Sequence, residues 1–120
     1  MGLANGKICF LYPQDKENIA WASEHGKDAV AYIYNPGNKW MIWDESCELM
    51  QYEQIYFVDS QNEAVEPDDR LSKEEVVYVY VMRGETEHGM LRTLADKNGG
   101  FEEPELVREL LYCDLYRLSR

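Results

Sequence analysis

The clearest hydrophobic pattern in the chain is an uninterrupted run of apolar and aromatic residues over Val76–Met82. β-Branched and aromatic side chains suit a pleated, half-buried surface, and a short run between charged residues is typical of a buried strand. Because side chains alternate along a strand, Val77, Val79 and Val81 should face one way, opposite to the tyrosines between them. We therefore expect a central strand here, with the core on its valine side.

Four shorter apolar runs predict further strands, at residues 7–12, 29–34, 39–44 and 54–58. Pro36 and Gly37 separate the second run from the third, and they favour a turn because proline presets φ and glycine accepts positive φ. The second and third runs are therefore expected to form a β-hairpin, with Tyr32, Tyr34 and Trp43 on one face. Cross-strand aromatic pairs of this kind stabilise a sheet.

Three segments carry the signals of a helix. The first begins at Asp15, which can cap it, and ends before Gly26. The second runs from Thr86 to about Asn98, where two glycines follow. The third begins near Glu103 and contains leucines at helical spacing, which is the strongest helical pattern in the chain.

Together these elements predict an α+β fold. The sheet is expected to be mainly antiparallel with about five strands, accompanied by one N-terminal and two C-terminal helices. The last helix would cover the valine side of the central strand. The 120 residues are expected to form a single α+β domain over 1–120, with an acidic surface loop at 59–73, where apolar residues are few.

The cysteines and the apolar runs bear on the cellular setting. Cys9, Cys47 and Cys113 include no pair at CxxC spacing, so neither a zinc site nor a disulfide framework is indicated. No run is long enough to span a bilayer, and the N-terminus lacks the apolar region of a signal peptide. A reducing, cytoplasmic setting is the simplest prediction, and no cofactor is expected.

The charge is concentrated in one part of the chain. The formal net charge is −11, and residues 44–75, the acidic segment, carry eleven acidic residues against Arg70 and Lys73. Nucleic acid and anionic membranes are disfavoured as partners because they carry the same sign of charge. Runs of charge are usually solvated surface, and the alternative is a docking surface for a basic protein. A calcium loop at residues 59–64 is rejected because the required glycine is missing.

The aromatic side chains also have two interpretations. They could form an open patch that binds a protein, or they could pack beneath a helix with their hydroxyls at the rim. If the docking interpretation holds, the residues expected to bind the partner are Asp44, Glu45, Glu48, Glu53, Asp59, Glu63, Glu66, Asp68, Asp69, Tyr32, Tyr34, Trp43, Tyr78 and Tyr80.

No motif for nucleotide binding, metalloprotease chemistry or a nucleophile elbow is present in the sequence. His25 and His88 are the only histidines, and Glu87 is poorly placed to orient His88 because adjacent helical residues do not face each other. A hydrolase that uses His88 or Cys113 is therefore kept only as a third hypothesis, and no enzyme is expected.

The leading hypothesis is a small acidic binding protein that acts by stoichiometric occlusion of a basic or nucleic-acid-binding protein. In size, acidity and lack of catalytic motif, the chain is similar to toxin immunity proteins and to phage anti-defence proteins, including anti-CRISPR proteins. This analogy makes a nuclease, a toxin or a CRISPR effector the expected class of partner. The alternative is a domain that binds or sequesters a small ligand in a pocket lined by Tyr and Trp.

Overall fold

The computed structural model describes residues 2–4, 7–9, 13–62 and 65–120, with side chains from Lys16 onward except that of Asp44. The helices are α1 (Pro13–Glu24), α2 (Trp40–Asp44), α3 (Ser46–Leu49), α4 (Asp69–Lys73) and α5 (Glu85–Lys97), with a 3-10 turn at Pro36–Asn38. The strands are β1 (Gly2–Ala4), β2 (Lys7–Cys9), β3 (Ala29–Tyr34), β4 (Tyr56–Asp59), β5 (Val76–Met82), β6 (Glu105–Glu109) and β7 (Cys113–Ser119).

The main sheet has five strands in the order β4-β3-β5-β7-β6, and β1 pairs with β2 separately. Strand β3 is parallel to both β4 and β5, whereas β7 is antiparallel to β5 and β6. The fold is therefore α+β, as expected, but the sheet is mixed and not mainly antiparallel. The parallel pairs arise because helices connect β3 to β4 and β4 to β5, so each connection crosses the sheet instead of turning back on itself.

Both faces of the sheet are covered by helices. The valine face, which includes Val77, Val79 and Val81, packs against residues of α4 and α5. The opposite tyrosine face, which includes Tyr32 and Tyr80, packs against residues of α1 and α3, with parts of α2 alongside. The prediction of β5 as the central strand is confirmed, and its uniformly apolar sequence follows from burial on both sides.

The predicted hairpin over 29–44 is wrong. Residues 29–34 form β3, but the residues that were expected to form its partner strand belong to helix α2. The intervening turn is real, since the Asn35 side-chain oxygen accepts a hydrogen bond from the Gly37 amide at 2.8 Å. Both edges of β3 are occupied by parallel strands, so no edge remains for a hairpin partner.

The predicted C-terminal helix from Glu103 is also wrong, because this part of the chain forms the antiparallel pair β6–β7. Along β7, Cys113 and Leu115 belong to the core of the tyrosine face and Leu118 to that of the valine face. The valine face is covered instead by α5, which corresponds to the predicted second helix. Helix α1 corresponds to the predicted first one.

The segment 59–73 is only partly a loop, because it contains α4. Asp68 caps this helix and accepts hydrogen bonds from the amides of Arg70 and Leu71. Val65 and Leu71 are buried in the core of the valine face, and they fix the segment to the sheet.

The cysteines differ from the prediction in one respect. Cys47 is disulfide-bonded, whereas Cys113 is free and buried. Because disulfides are rare in reducing compartments, the cysteines do not support the predicted reducing, cytoplasmic setting. Among the described residues, every helix is too short or too polar to cross a membrane.

Candidate functional site

Helix α2 presents two tryptophans to solvent. Trp40 is 54% exposed and Trp43 is 79% exposed, and their i, i+3 spacing places both on one face of the helix. Met41 and Ile42 pack against the core of the tyrosine face, so this five-residue helix has an inward and an outward side. Trp43 is thus an exposed aromatic side chain on an element whose other side is held by the core.

The turn between β6 and β7 extends this exposed surface. Leu111 is 73% exposed, and the ring of its neighbour Tyr112 contacts Trp40 at a centroid distance of 5.5 Å. We refer to Trp40, Trp43, Leu111 and Tyr112 as the indole surface. Isolated exposed apolar residues are normal on soluble proteins, whereas a contiguous apolar patch marks an interaction surface.

Buried polar contacts attach the α2–α3 region to the sheet. Glu45, which follows α2, is buried; its Oε1 accepts from the Tyr32 hydroxyl at 3.1 Å, and its Oε2 from the Cys113 thiol at 3.0 Å. Burial, followed by the charge of Glu45, raises the pKa of the Cys113 thiol, which therefore stays protonated. These contacts fix the end of α2, and with it the indole surface, to the sheet.

A second buried pair lies beside the first. The hydroxyls of Tyr52 and Tyr80 are hydrogen-bonded at 2.6 Å, and Glu48 is buried next to them. Desolvation by burial is the main cause that raises the pKa of Tyr32, Tyr52 and Tyr80. These phenols remain neutral and act as hydrogen-bonding groups inside the protein.

A cleft of about 180 Å³ adjoins the indole surface. It lies where β3 and β5 end, and the chain leaves these neighbouring parallel strands toward opposite faces of the sheet. Ligands of open sheets commonly bind at such a point. The lining residues are Asn35, Asn38, Met41, Met82, Arg83, Glu87, Leu111 and Tyr112.

The charged groups of the cleft have defined internal partners. Glu87 is only 5% exposed, and its Oε1 accepts a hydrogen bond from Asn35 Nδ2 at 3.1 Å. Arg83 Nε lies 3.1 Å from Asp114 Oδ1, while Arg83 Nη1 donates to the Leu111 carbonyl at 2.8 Å. The cleft therefore combines a neutralised guanidinium with a buried carboxylate.

His88 lies close to this cleft but pairs with other groups. Its Nδ1 is 2.8 Å from the Gly84 carbonyl oxygen, and its Nε2 is 3.5 Å from Asp114 Oδ2. Both ring nitrogens thus contact the protein's own oxygens. Within the described part of the chain, no three His, Cys, Asp or Glu side chains are grouped so that they could hold a metal ion.

The predicted partner-binding tyrosines are mostly inside the protein. Tyr32, Tyr78 and Tyr80 are buried beneath the helices, so the interpretation of a covered aromatic face is the one observed. Tyr34 is half-buried, with the Lys39 ammonium 5.9 Å from its ring. Trp43 is the predicted aromatic residue that lies on the surface.

The predicted acidic residues divide into three groups. Glu45 and Glu48 are buried and face the interior, so they do not present charge to a partner. The side chains of Asp44 and Glu63 lie outside the described residues. The remaining five are exposed or half-buried: Glu53, Asp59, Glu66, Asp68 and Asp69.

These five carboxylates are not paired with the protein's own basic side chains. Among the side chains that the structure describes, none of the five takes part in an ion pair. The guanidinium of Arg70, which lies in the same segment, donates instead to neutral oxygens of Gln54, Lys27 and Asp28. The acidic segment therefore carries negative charge that the protein's own arginines do not neutralise.

The sequence did not indicate Trp40, Leu111, Tyr112 or the cleft as parts of a site. The spacing of Trp40 and Trp43 is a helical signal, but it was interpreted as alternation along a strand. The cleft depends on a contact between Asn35 and Glu87, which lie 52 positions apart, and no local pattern signals it.

Comparisons with protein-family models, with curated proteins and with solved structures found no match for this chain.

Proposed function

We propose that the protein binds a basic protein and blocks the surface that it covers. The observation that carries the proposal is Trp43, a tryptophan that is 79% exposed on a helix anchored to the core. Tryptophan is one of the residue types enriched among those that dominate binding energy at interfaces. In this proposal the indole surface supplies the buried centre of the interface. Much of the acidic segment lies near the start of β3, away from α2, so its charge would act through long-range attraction.

The charge of the acidic segment supports a partner of opposite sign. Its exposed carboxylates, such as Glu53, Glu66 and Asp69, would attract Lys and Arg on the partner, speed the encounter and fix the orientation of the complex. A surface lined with Lys and Arg is typical of a protein that binds nucleic acid. We therefore propose a nuclease, a toxin or a CRISPR effector as the class of partner, with occlusion of its basic surface as the mode of action.

Removal of the indole side chains should weaken binding strongly. Partners are first captured from a cell extract at low salt, identified as they elute with rising salt, and then purified. Trp43→Ala is expected to cost about 2 kcal/mol of binding energy, as measured by calorimetry with the purified partner. A matched pair of variants serves as the control. Leu111→Ala should weaken binding, whereas Leu106→Ala, at an exposed leucine on β6, should not. Equal affinity of Trp43→Ala and the natural protein would exclude the indole surface as the binding site.

Salt should act mainly on the rate of association. Charge steering is screened over about 8 Å at physiological ionic strength, so the association rate is expected to fall as salt rises. A triple variant with Glu53→Gln, Glu66→Gln and Asp69→Asn should associate more slowly and show a weaker salt dependence. Stopped-flow kinetics at several salt concentrations measures both effects.

The control for this variant removes the same amount of charge elsewhere. Glu17, Glu102 and Glu109 are exposed acids outside the acidic segment, and their triple replacement by Gln gives an equal net charge. This control should keep most of the salt dependence. If both triple variants behave alike, the net charge of the protein and not the acidic segment controls the encounter.

A further inference from the structure

The cleft beside the indole surface has one charged side chain, Glu87, that forms no ion pair with the described side chains. Arg83 is paired with Asp114, and its Nη1 and Nη2 donate to the carbonyls of Leu111 and Leu110. Glu87 Oε1 accepts a hydrogen bond from the neutral side-chain amide of Asn35. A buried carboxylate strongly favours a cationic partner. The charge of the cleft therefore favours a cationic ligand over an anionic one.

The cleft lies at the start of α5, but this position does not make it favour an anionic ligand. The first turn of a helix usually attracts anions through its free amides and its dipole. Here Glu87, itself in that turn, supplies the anion: a Cβ added to Gly84 would lie 3.0 Å from Glu87 Oε2. Since the chain's own carboxylate folds back over Gly84, the positive end of the helix is already compensated.

The size and lining of the cleft suit one long side chain. Its volume of about 180 Å³ is well below the roughly 300–1,000 Å³ of pockets that bury drug-sized ligands. Met41 and Met82 offer flexible apolar contacts for an aliphatic stem. Tyr112 offers an aromatic ring, on which a guanidinium group stacks more readily than a strongly hydrated ammonium group.

We propose that this cleft receives an arginine side chain of the basic partner, with its guanidinium group directed toward Glu87. The inference rests on the proposed function and names the chemistry of the partner at its point of contact. Leu111 and Tyr112 belong to both the cleft and the indole surface, so a partner centred on α2 would also cover the cleft. The arginine would enter beside the tryptophans, in the centre of the interface.

The proposal is tested with N-acetyl-arginine amide as the probe, titrated into the isotope-labelled protein and followed by NMR. The amide signals of Asn35, Arg83 and Leu111 are expected to shift. N-acetyl-lysine amide should bind more weakly, and N-acetyl-norleucine amide, which lacks the charge, weaker still. Glu87→Gln should weaken the arginine probe about tenfold, because a charge-assisted hydrogen bond is lost. Glu102→Gln removes an exposed acid outside both the cleft and the acidic segment and should leave the affinity unchanged.

A second variant covers the case in which Glu87→Gln disturbs α5. Leu111 is largely exposed, so Leu111→Arg should fold normally and place a competing guanidinium at the mouth of the cleft. This variant is expected to bind the arginine probe at least several-fold more weakly. Unchanged probe affinity in Leu111→Arg would contradict the proposal even if Glu87→Gln cannot be purified.

Three results would overturn the assignment of the cleft. The norleucine and arginine probes could bind equally, or the arginine probe could cause no amide shifts at all. Alternatively, the shifts could spread over the acidic segment and be the same in Glu87→Gln. These outcomes are separable from failure of the proposed function. A partner that requires Trp43 but tolerates Glu87→Gln would overturn the cleft alone. A partner that tolerates Trp43→Ala would overturn the indole surface as its docking site.

Discussion

Above about pH 10 the protein is expected to unfold cooperatively, because its interior holds phenols that cannot ionise in place. Burial raises the pKa of Tyr32, Tyr52 and Tyr80 above the ordinary value of 10.0. In the unfolded chain these phenols lose their protons near pH 10, whereas in the folded protein they keep them. The unfolded state therefore binds fewer protons above that pH, and stability falls as pH rises.

The expected loss of stability at alkaline pH is large. Each such group lowers the free energy of unfolding by about 1.4 kcal/mol per pH unit once the pH exceeds its unfolded pKa. Three phenols together give a slope of about 4 kcal/mol per pH unit, and Cys113 adds to it because burial raises its pKa from 9.0. Native domains have a stability of about 5–15 kcal/mol, so the loss should be complete within a few pH units.

Urea denaturation followed by circular dichroism at pH 7–11.5 measures this slope, and phenolate absorbance shows whether ionisation coincides with unfolding. Tyr80→Phe removes one of the three phenols and is expected to reduce the slope by about 1.4 kcal/mol per pH unit. The same change should lower stability at pH 7 by about 1–3 kcal/mol, because it leaves the Tyr52 hydroxyl without its partner. If all tyrosines ionise near pH 10 while the native spectrum persists, these phenols are accessible to solvent and their assigned burial is incorrect.

The elements predicted correctly are those whose hydrophobic pattern reflects the same surroundings along their whole length. The run at β5 is apolar on both faces because helices cover both, and its seven β-branched, aromatic and apolar residues favour a strand over a helix. Helix α5 has a buried side at Met90, Leu91 and Leu94, and that periodicity was recognised. In both cases the local pattern agrees with the tertiary surroundings.

The C-terminal strands were mistaken for a helix because their leucines lie in different environments. Leu111 is an exposed turn residue, while Leu115 and Leu118 are buried on opposite faces of β7. Their spacing of four and three residues imitates one helical face. A strand buried on both sides does not alternate in polarity, so the helical interpretation could not be excluded from the pattern alone.

Of the candidate site, the sequence predicted only the negative charge of the acidic segment and the involvement of Trp43. Composition shows how much negative charge a segment carries, but it does not show that Glu45 and Glu48 point inward. Their burial depends on hydrogen-bonding partners that are remote in sequence, such as Tyr32 and Cys113. The depth of a charged side chain is decided by such contacts and not by its local neighbours.

The last residue of the chain, Arg120, is expected to be among its most important for stability. Its guanidinium donates to the backbone carbonyls of Leu71, Ser72 and Asn98 at 3.0, 2.9 and 2.8 Å, respectively, and it lies 4.0 Å from the ring centroid of Phe101. These carbonyls belong to α4 and to the end of α5, where helices leave acceptors unsatisfied. One side chain thus joins the ends of two helices to the last strand.

Arg120→Ala should therefore lower the free energy of unfolding by about 2 kcal/mol, since several charge-assisted hydrogen bonds are lost together. Arg120→Lys should recover only part of this loss, because an ammonium group lacks the planar set of donors that reaches several carbonyls at once. Arg117→Ala is the matched control: Arg117 forms an exposed pair with Glu105, and such pairs contribute little. Urea denaturation at pH 7 measures all three variants. If Arg120→Ala is no more destabilising than Arg117→Ala, the carbonyls at the helix ends are satisfied by water, and Arg120 does not join the helices.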